Sequence, residues 1–241
     1  VPAGAYIALF LSVGLHLPPY VVFPLTLLLA ALLGVAVERT FIRPVMRAPE
    51  FTIVVCTLAI GLMIKNVVRL IWQDNVYPLP VPFSRDTIAL GALRINPLLL
   101  WIDGCAVVLM AVLVAFFQFT RHGKAMRAVS QSQEAARLMG IRVDRMSLLA
   151  FALAGGLGAA AGVVIAPITY ATYDMGLMLG LKGFVAAALG GLVSPPGAIV
   201  GGFLLGVLES LAAGLVSSGY KDAGAFVILI VLCLVQVAGL L

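Results

Sequence analysis

Charge is what this chain has least of. Only 10% of its 241 residues are Asp, Glu, Lys or Arg, and 63% are hydrophobic, whereas a soluble domain carries roughly 25% charged residues. That shortage excludes water as the main solvent. Histidine and cysteine are scarce too. His16 and His122 have no second His, Cys or carboxylate at metal-ligand spacing, and Cys56, Cys105 and Cys233 lie far apart, each within an apolar run. Neither zinc spacing nor a disulfide framework is present, and such thiols act as small hydrophobes. ATP use would need a Gly-rich loop ending in Lys and Ser or Thr, whose amides cradle the phosphates. The chain has no such loop and no Gly-x-Ser-x-Gly elbow. No catalytic centre and no bound cofactor or metal are expected. An intramembrane enzyme would need a buried nucleophile and base or a metal cluster.

What is there is a succession of apolar runs. A span needs about 20 apolar residues, so a single membrane domain over 1–241 holds roughly seven or eight segments. The runs are 3–17, 21–37, 51–72, 98–119, 147–166, 179–193, 198–215 and 224–241. The first is short, stops at Pro18-Pro19, and reads as the remainder of a longer helix. Pro167 is expected to end the fifth. The run 179–193 is marginal in length, so it either spans or is re-entrant. Residues 73–97, with Pro78, Pro80 and Pro82, favour an extended strand or polyproline form over a helix, and 217–222 form a polar turn.

Of the fifteen Lys and Arg residues, Arg39, Arg43 and Arg47 lie in 38–50, and Arg121, Lys124, Arg127, Arg137, Arg142 and Arg145 lie in 120–146. The positive-inside bias makes both loops cytoplasmic, and alternation of the runs agrees. Residues 73–97 and the Tyr170, Tyr173, Asp174 segment then fall outside. Lys65 and Arg69, in the last two turns of 51–72, must reach an interface or pair within the bundle. Glycines four residues apart, Gly158 and Gly162, Gly197 and Gly201, Gly202 and Gly206, permit close helix packing in lipid.

Two places carry chemistry. Within 120–146, Glu134-Ala135-Ala136 is followed three residues later by Gly140. On a short surface helix the two alanines leave a flat, open face, Glu134 accepts a charged hydrogen bond, and Gly140 ends the helix in a left-handed cap. That is chemistry for docking a partner, although an ordinary solvated helix has the same spacing. Glu209 lies inside an apolar run, roughly 17 Å along it by helical rise. It either lines a translocation path or pairs with a cation such as Lys65 or Lys182. Asp103 and His16 lie near run ends, where interfacial water suffices.

The Glu-Ala-Ala-x-x-x-Gly element resembles the coupling loop of binding-protein-dependent ABC importers. Glu38-Arg39-Thr40-Phe41-Ile42-Arg43-Pro44-Val45-Met46-Arg47, Gly190-Gly191-Leu192-Val193-Ser194-Pro195-Pro196-Gly197-Ala198, Gly201-Gly202-Phe203-Leu204-Leu205-Gly206-Val207-Leu208-Glu209 and Ser217-Ser218-Gly219-Tyr220-Lys221-Asp222-Ala223 resemble the branched-chain amino acid permease family over nearly the whole chain. The resemblance implies an all-α polytopic bundle in the bacterial cytoplasmic membrane, N-terminally truncated relative to the family. It also implies a companion permease, two cytoplasmic ATPase subunits that use the ATP, an extracytoplasmic solute-binding protein, and branched-chain or related amino acids as cargo. Urea, short amides and other amino acids travel on the same scaffold. The sequence departs from the family in lacking an Asn-Phe-Ala-His-Gly stretch before Gly4, and in having Gln236-Val237-Ala238 where an Arg-Pro pair commonly precedes Gly-Leu.

Overall fold

A computed structural model describes residues 2–15, 17–45, 50–72, 88–90, 93–191, 194–215 and 227. The expected final span 224–241, the turn 217–222, His16, the prolines of 73–87 and the Arg47 end of the first basic loop lie outside the described residues.

The described residues are overwhelmingly helical. In chain order they form α1 (Pro2–Leu9), α2 (Pro19–Val37), α3 (Arg43–Val45), α4 (Glu50–Trp72), α5 (Pro97–Phe119), α6 (Arg121–Gln131), α7 (Gln133–Leu138), α8 (Val143–Thr169), α9 (Met175–Gly190) and α10 (Pro195–Leu215). Five helical stretches are long and apolar enough to cross a bilayer: Tyr20–Val45, Val55–Trp72, Pro97–Phe119, Val143–Thr169 and Pro195–Gly214. Pro2–Gly14 and Met175–Gly190 are shorter apolar helices. Within 73–97, β1 (Ile88–Leu90) pairs antiparallel with β2 (Leu93–Ile95), Ile88 opposite Ile95, in keeping with the extended backbone expected there.

The chain divides into two compact units, one of residues 1–112 and 132–176, the other of 113–131 and 177–241. The first is centred on α2 against α8. Val22, Thr26, Ala30, Gly34, Glu38 and Ile42 are all buried, at strict four-residue spacing. An α-helix repeats every 3.6 residues and would carry this row slowly round the axis. The π-helical stretch Glu38–Ile42 that continues α2 has a wider turn, which keeps Glu38 and Ile42 in line. The backbones meet where side chains are absent. A Cβ on Gly155 would lie 2.5 Å from the Ala30 carbonyl oxygen, and one on Gly34 would collide with that of Phe151.

In the second unit α9 and α10 form a tight hairpin. A Cβ on Gly190 or Gly197 would strike the other residue's carbonyl, and one on Gly201 would strike that of Ala186. Ser194 caps α10, its Oγ accepting from the Gly197 amide at 3.2 Å, and Val185 packs against Leu205. Of the glycine pairs expected to pack closely, Gly197 and Gly201 do so. A Cβ on Gly206 would meet open space.

Three boundaries differ from the sequence reading. Pro167 does not end its helix: α8 runs on to Thr169. A proline deprives and crowds the carbonyl four residues before it, here Val163, while the amides of the residues that follow it are intact, so the helix continues past Pro167 and the Thr169 hydroxyl donates to the Ile165 carbonyl at 3.2 Å. The same helix begins at Val143, not Ser147, with Asp144 in its first turn, where a carboxylate suits the helix dipole. Finally, residues 38–45 are helical rather than loop, and Glu38 is only 1% exposed.

Candidate functional site

The segment 132–142 is a small helix fixed at both ends. Ser132 has an extended backbone, and its Oγ accepts the Ala135 amide at 3.2 Å, as an N-cap residue does. At the other end Gly140 has φ 79°, the Gly140 amide donates to the Arg137 carbonyl at 3.0 Å, and the Ile141 amide donates to that of Ala136 at 3.0 Å. These are the paired bonds of a Schellman motif, and they need a residue free of the Cβ penalty at positive φ.

The two alanines do not share one open face. Ala135 is exposed, but Ala136 is 4% exposed, with α7 packed on α8. The expected alanine pair is thereby corrected: a helix turns 100° per residue, so adjacent positions diverge. Ala136 fastens the helix to a candidate span. The outward surface carries Glu134, Ala135 and two residues the sequence reading passed over, Leu138 and Met139, 89% and 82% exposed. Two large apolar residues at the tip of an otherwise polar segment were the signal.

In the second unit, Glu209 on α10 meets Lys182 on α9, with Nζ and Oε1 3.0 Å apart and the carboxylate side chain 10% exposed. The approach is ionic but not aligned as a hydrogen bond. Of the two cations considered, Lys182 is the one placed beside it. Lys65 pairs instead with Asp174 in the first unit. Removing one partner of a desolvated pair leaves the other charge uncompensated. The Glu209→Gln variant is therefore expected to lose abundance or thermal stability if the pair only fastens the hairpin, and to insert normally but transport poorly if it lines a path. Normal abundance with normal transport would contradict both roles.

Glu38 is the other buried carboxylate, and its Oε2 has no hydrogen-bond partner among the described residues. The sequence reading left it at a loop edge. No signal in the sequence placed it inside, because its burial depends on the π-helical stretch Glu38–Ile42. No group of three or more His, Cys, Asp or Glu that could hold a metal occurs among the described residues.

Comparison with known proteins fits this membrane architecture. Residues 1–236 match the family model of the branched-chain amino acid transport system permease component. The high-affinity branched-chain amino acid transport system permease protein LivH of Salmonella typhimurium is 31% identical over 223 residues, covering 89% of this chain and 71% of that protein. The corresponding protein BraD of Pseudomonas aeruginosa is 29% identical over 252 residues, covering 99% and 82%. The ribose import permease protein RbsC of Haemophilus influenzae is more distant, 25% identical over 232 residues, covering 90% and 69%. No solved structure matches. The chain therefore belongs to the branched-chain amino acid transport system permease family, and it is a multi-pass membrane protein that serves as a transport subunit, not as an enzyme.

Proposed function

We propose that this chain is the membrane-spanning permease of an ATP-driven importer in the bacterial cytoplasmic membrane, carrying branched-chain amino acids inward. The observation that carries the reading is α7: a helix capped at both ends, seated on α8 through Ala136, and presenting Leu138 and Met139 outward. A rigid polar segment with an apolar tip suits a groove in a cytoplasmic ATPase subunit. Force applied at α7 passes directly to α8, a helix of 27 residues, so closure of the ATPases can move a span without any chemistry in this chain. ATP is bound and hydrolysed in two separate ATPase subunits. A companion permease completes the pathway, and an extracytoplasmic binding protein delivers the cargo. The branched-chain cargo rests on the names of LivH and BraD.

The reading requires 38–50 and 120–146 to be cytoplasmic. Ser132 is unsuitable as a labelling position, because replacing an N-cap serine costs about 1 kcal/mol. Gln133 is exposed beside it. Cysteines introduced as Arg43→Cys and Gln133→Cys are expected to resist a membrane-impermeant maleimide in intact cells and to react once the membrane is opened. Reaction of either in intact cells would overturn the orientation.

A further inference from the structure

We propose that α6 is an interfacial helix that holds the phosphodiester head groups of anionic phospholipids on Arg121 and Lys124, at the end of the α5 span. The proposal goes beyond the transport reading and requires only that α5 crosses the bilayer. α5 is a candidate span of 23 residues that ends at Phe119, 79% exposed, and α6 begins two residues later at Arg121. The first charged side chains past the apolar run therefore sit at the depth where the hydrocarbon ends and the phosphates lie.

The junction of the two helices is a tight corner. The Thr120 hydroxyl donates to the Phe116 carbonyl at 2.6 Å and accepts the Gly123 amide at 3.0 Å. The Arg127 guanidinium donates to the Phe117 carbonyl at 2.8 Å, one of those left without an amide donor at a helix end. In a continuous helix residue 127 would stand about 15 Å beyond residue 117, out of reach of an arginine side chain, so α6 folds back on the end of α5. Gly123 marks the same fold-back, since a Cβ there would lie 2.4 Å from the Phe116 carbonyl oxygen. The corner keeps α6 against the bilayer boundary instead of projecting away from it.

The two sides of α6 suit that place. At 100° per residue, Ala125, Met126 and Val129 fall on one side, all half-buried, and Arg121, Lys124 and Arg127 fall on the other. A helix with a basic face and an apolar face lies in the interfacial plane of a bilayer. Arg121 and Lys124 are both exposed and stand three residues apart on one face, so both reach one phosphodiester, Arg121 through paired hydrogen bonds and Lys124 as a point charge. Neither has an ion-pair partner among the described residues, and no Asp or Glu occurs between Asp103 and Glu134. Cations with no local acid to offset them draw an anionic lipid in preference to a zwitterionic one. Protein docking belongs to α7, whose exposed tip is apolar.

The test is photocrosslinking of the permease, assembled with its companion and ATPase subunits, in phosphatidylcholine nanodiscs that carry a trace of diazirine-labelled phosphatidylglycerol. Crosslinks are located by peptide mass spectrometry. They are expected within 119–131, competed by unlabelled phosphatidylglycerol and weakened as salt is raised. Soluble glycerol phosphate, which offers the phosphate without acyl chains, is expected not to compete. The double variant Arg121→Gln, Lys124→Gln leaves the Arg127 bond at the corner in place. It is expected to weaken phosphatidylglycerol binding about fivefold for each charge removed, and so about 25-fold in all. The charge-keeping variant Arg121→Lys, Lys124→Arg is expected to bind as the unaltered chain does. Equal crosslinking by a phosphatidylcholine probe, full competition by glycerol phosphate, or crosslinking that neither salt nor the Gln variant lowers would each overturn the lipid site. Both leaflets of a nanodisc hold the same lipid, so the result is independent of the orientation that maleimide labelling tests. Loss of lipid selectivity at α6 removes this site alone, whereas the transport reading falls only if the unaltered assembly carries no amino acid.

Discussion

Replacing Leu138 and Met139 together by Ser is expected to abolish most uptake while leaving the amount of permease in the membrane unchanged. Both side chains are almost wholly exposed, and surface substitutions usually shift stability by no more than about 0.5 kcal/mol. Burying a Leu or Met side chain contributes about 1.5–3 kcal/mol, so losing about 2 kcal/mol on docking weakens association about thirtyfold. Co-purification of the ATPase with the double variant, measured at equal permease abundance, reads the effect directly. Two comparators separate docking from folding. Ala136→Glu places a charge where α7 seats on α8 and is expected to lower abundance, since an unpaired buried charge costs about 3–5 kcal/mol. Gly140→Val meets open space but must hold a β-branched residue at φ 79°, a strain of about 1–2 kcal/mol. Its effect is expected to be intermediate and confined to the docking helix.

The second large effect is expected at the crossing of α2 and α8. A valine at Gly155 would place its Cβ against the Ala30 carbonyl oxygen, and a backbone atom cannot step aside as a side chain can. Overpacking costs about 1–3 kcal/mol where neighbours can adjust, so Gly155→Val is expected to reach at least the top of that range. The first unit would then fail to assemble, with loss of membrane abundance and of heat resistance in detergent. Gly61→Val, where a Cβ meets nothing within 4 Å, is expected to leave both unchanged. Equal abundance of the two variants would show that the close crossing is not what holds this unit.

Much of this was legible in the sequence, because hydrophobic run length and glycine chemistry are local signals. The runs beginning at 21, 51 and 98 correspond to α2, α4 and α5 within a few residues. The left-handed turn at Gly140 was readable because only glycine takes that backbone freely. The errors arose where a residue's role depends on a partner distant in the chain. Ala135 and Ala136 look equivalent in sequence and differ only because α8 covers one of them. Pro167 signals a helix end, but a last-turn proline can be absorbed. Glu38 looked like the edge of a loop because an α-helical period does not anticipate the π-helical stretch that turns it inward. The meeting of Lys65 with Asp174, 109 positions apart, rests on tertiary packing alone. Their shared assignment to the outer side was nevertheless already implied by the charge pattern.

The central claim is that this chain moves an amino acid across the membrane by receiving force at α7. Its most direct test is uptake of radiolabelled leucine into proteoliposomes containing this permease, its companion and the ATPase subunits, with binding protein outside and ATP inside. The account predicts uptake that requires both ATP and the binding protein, and that is lost in the Leu138→Ser, Met139→Ser double variant although the variant permease is incorporated normally. Uptake by that variant equal to the unaltered protein's, or uptake that proceeds without ATP, would contradict it.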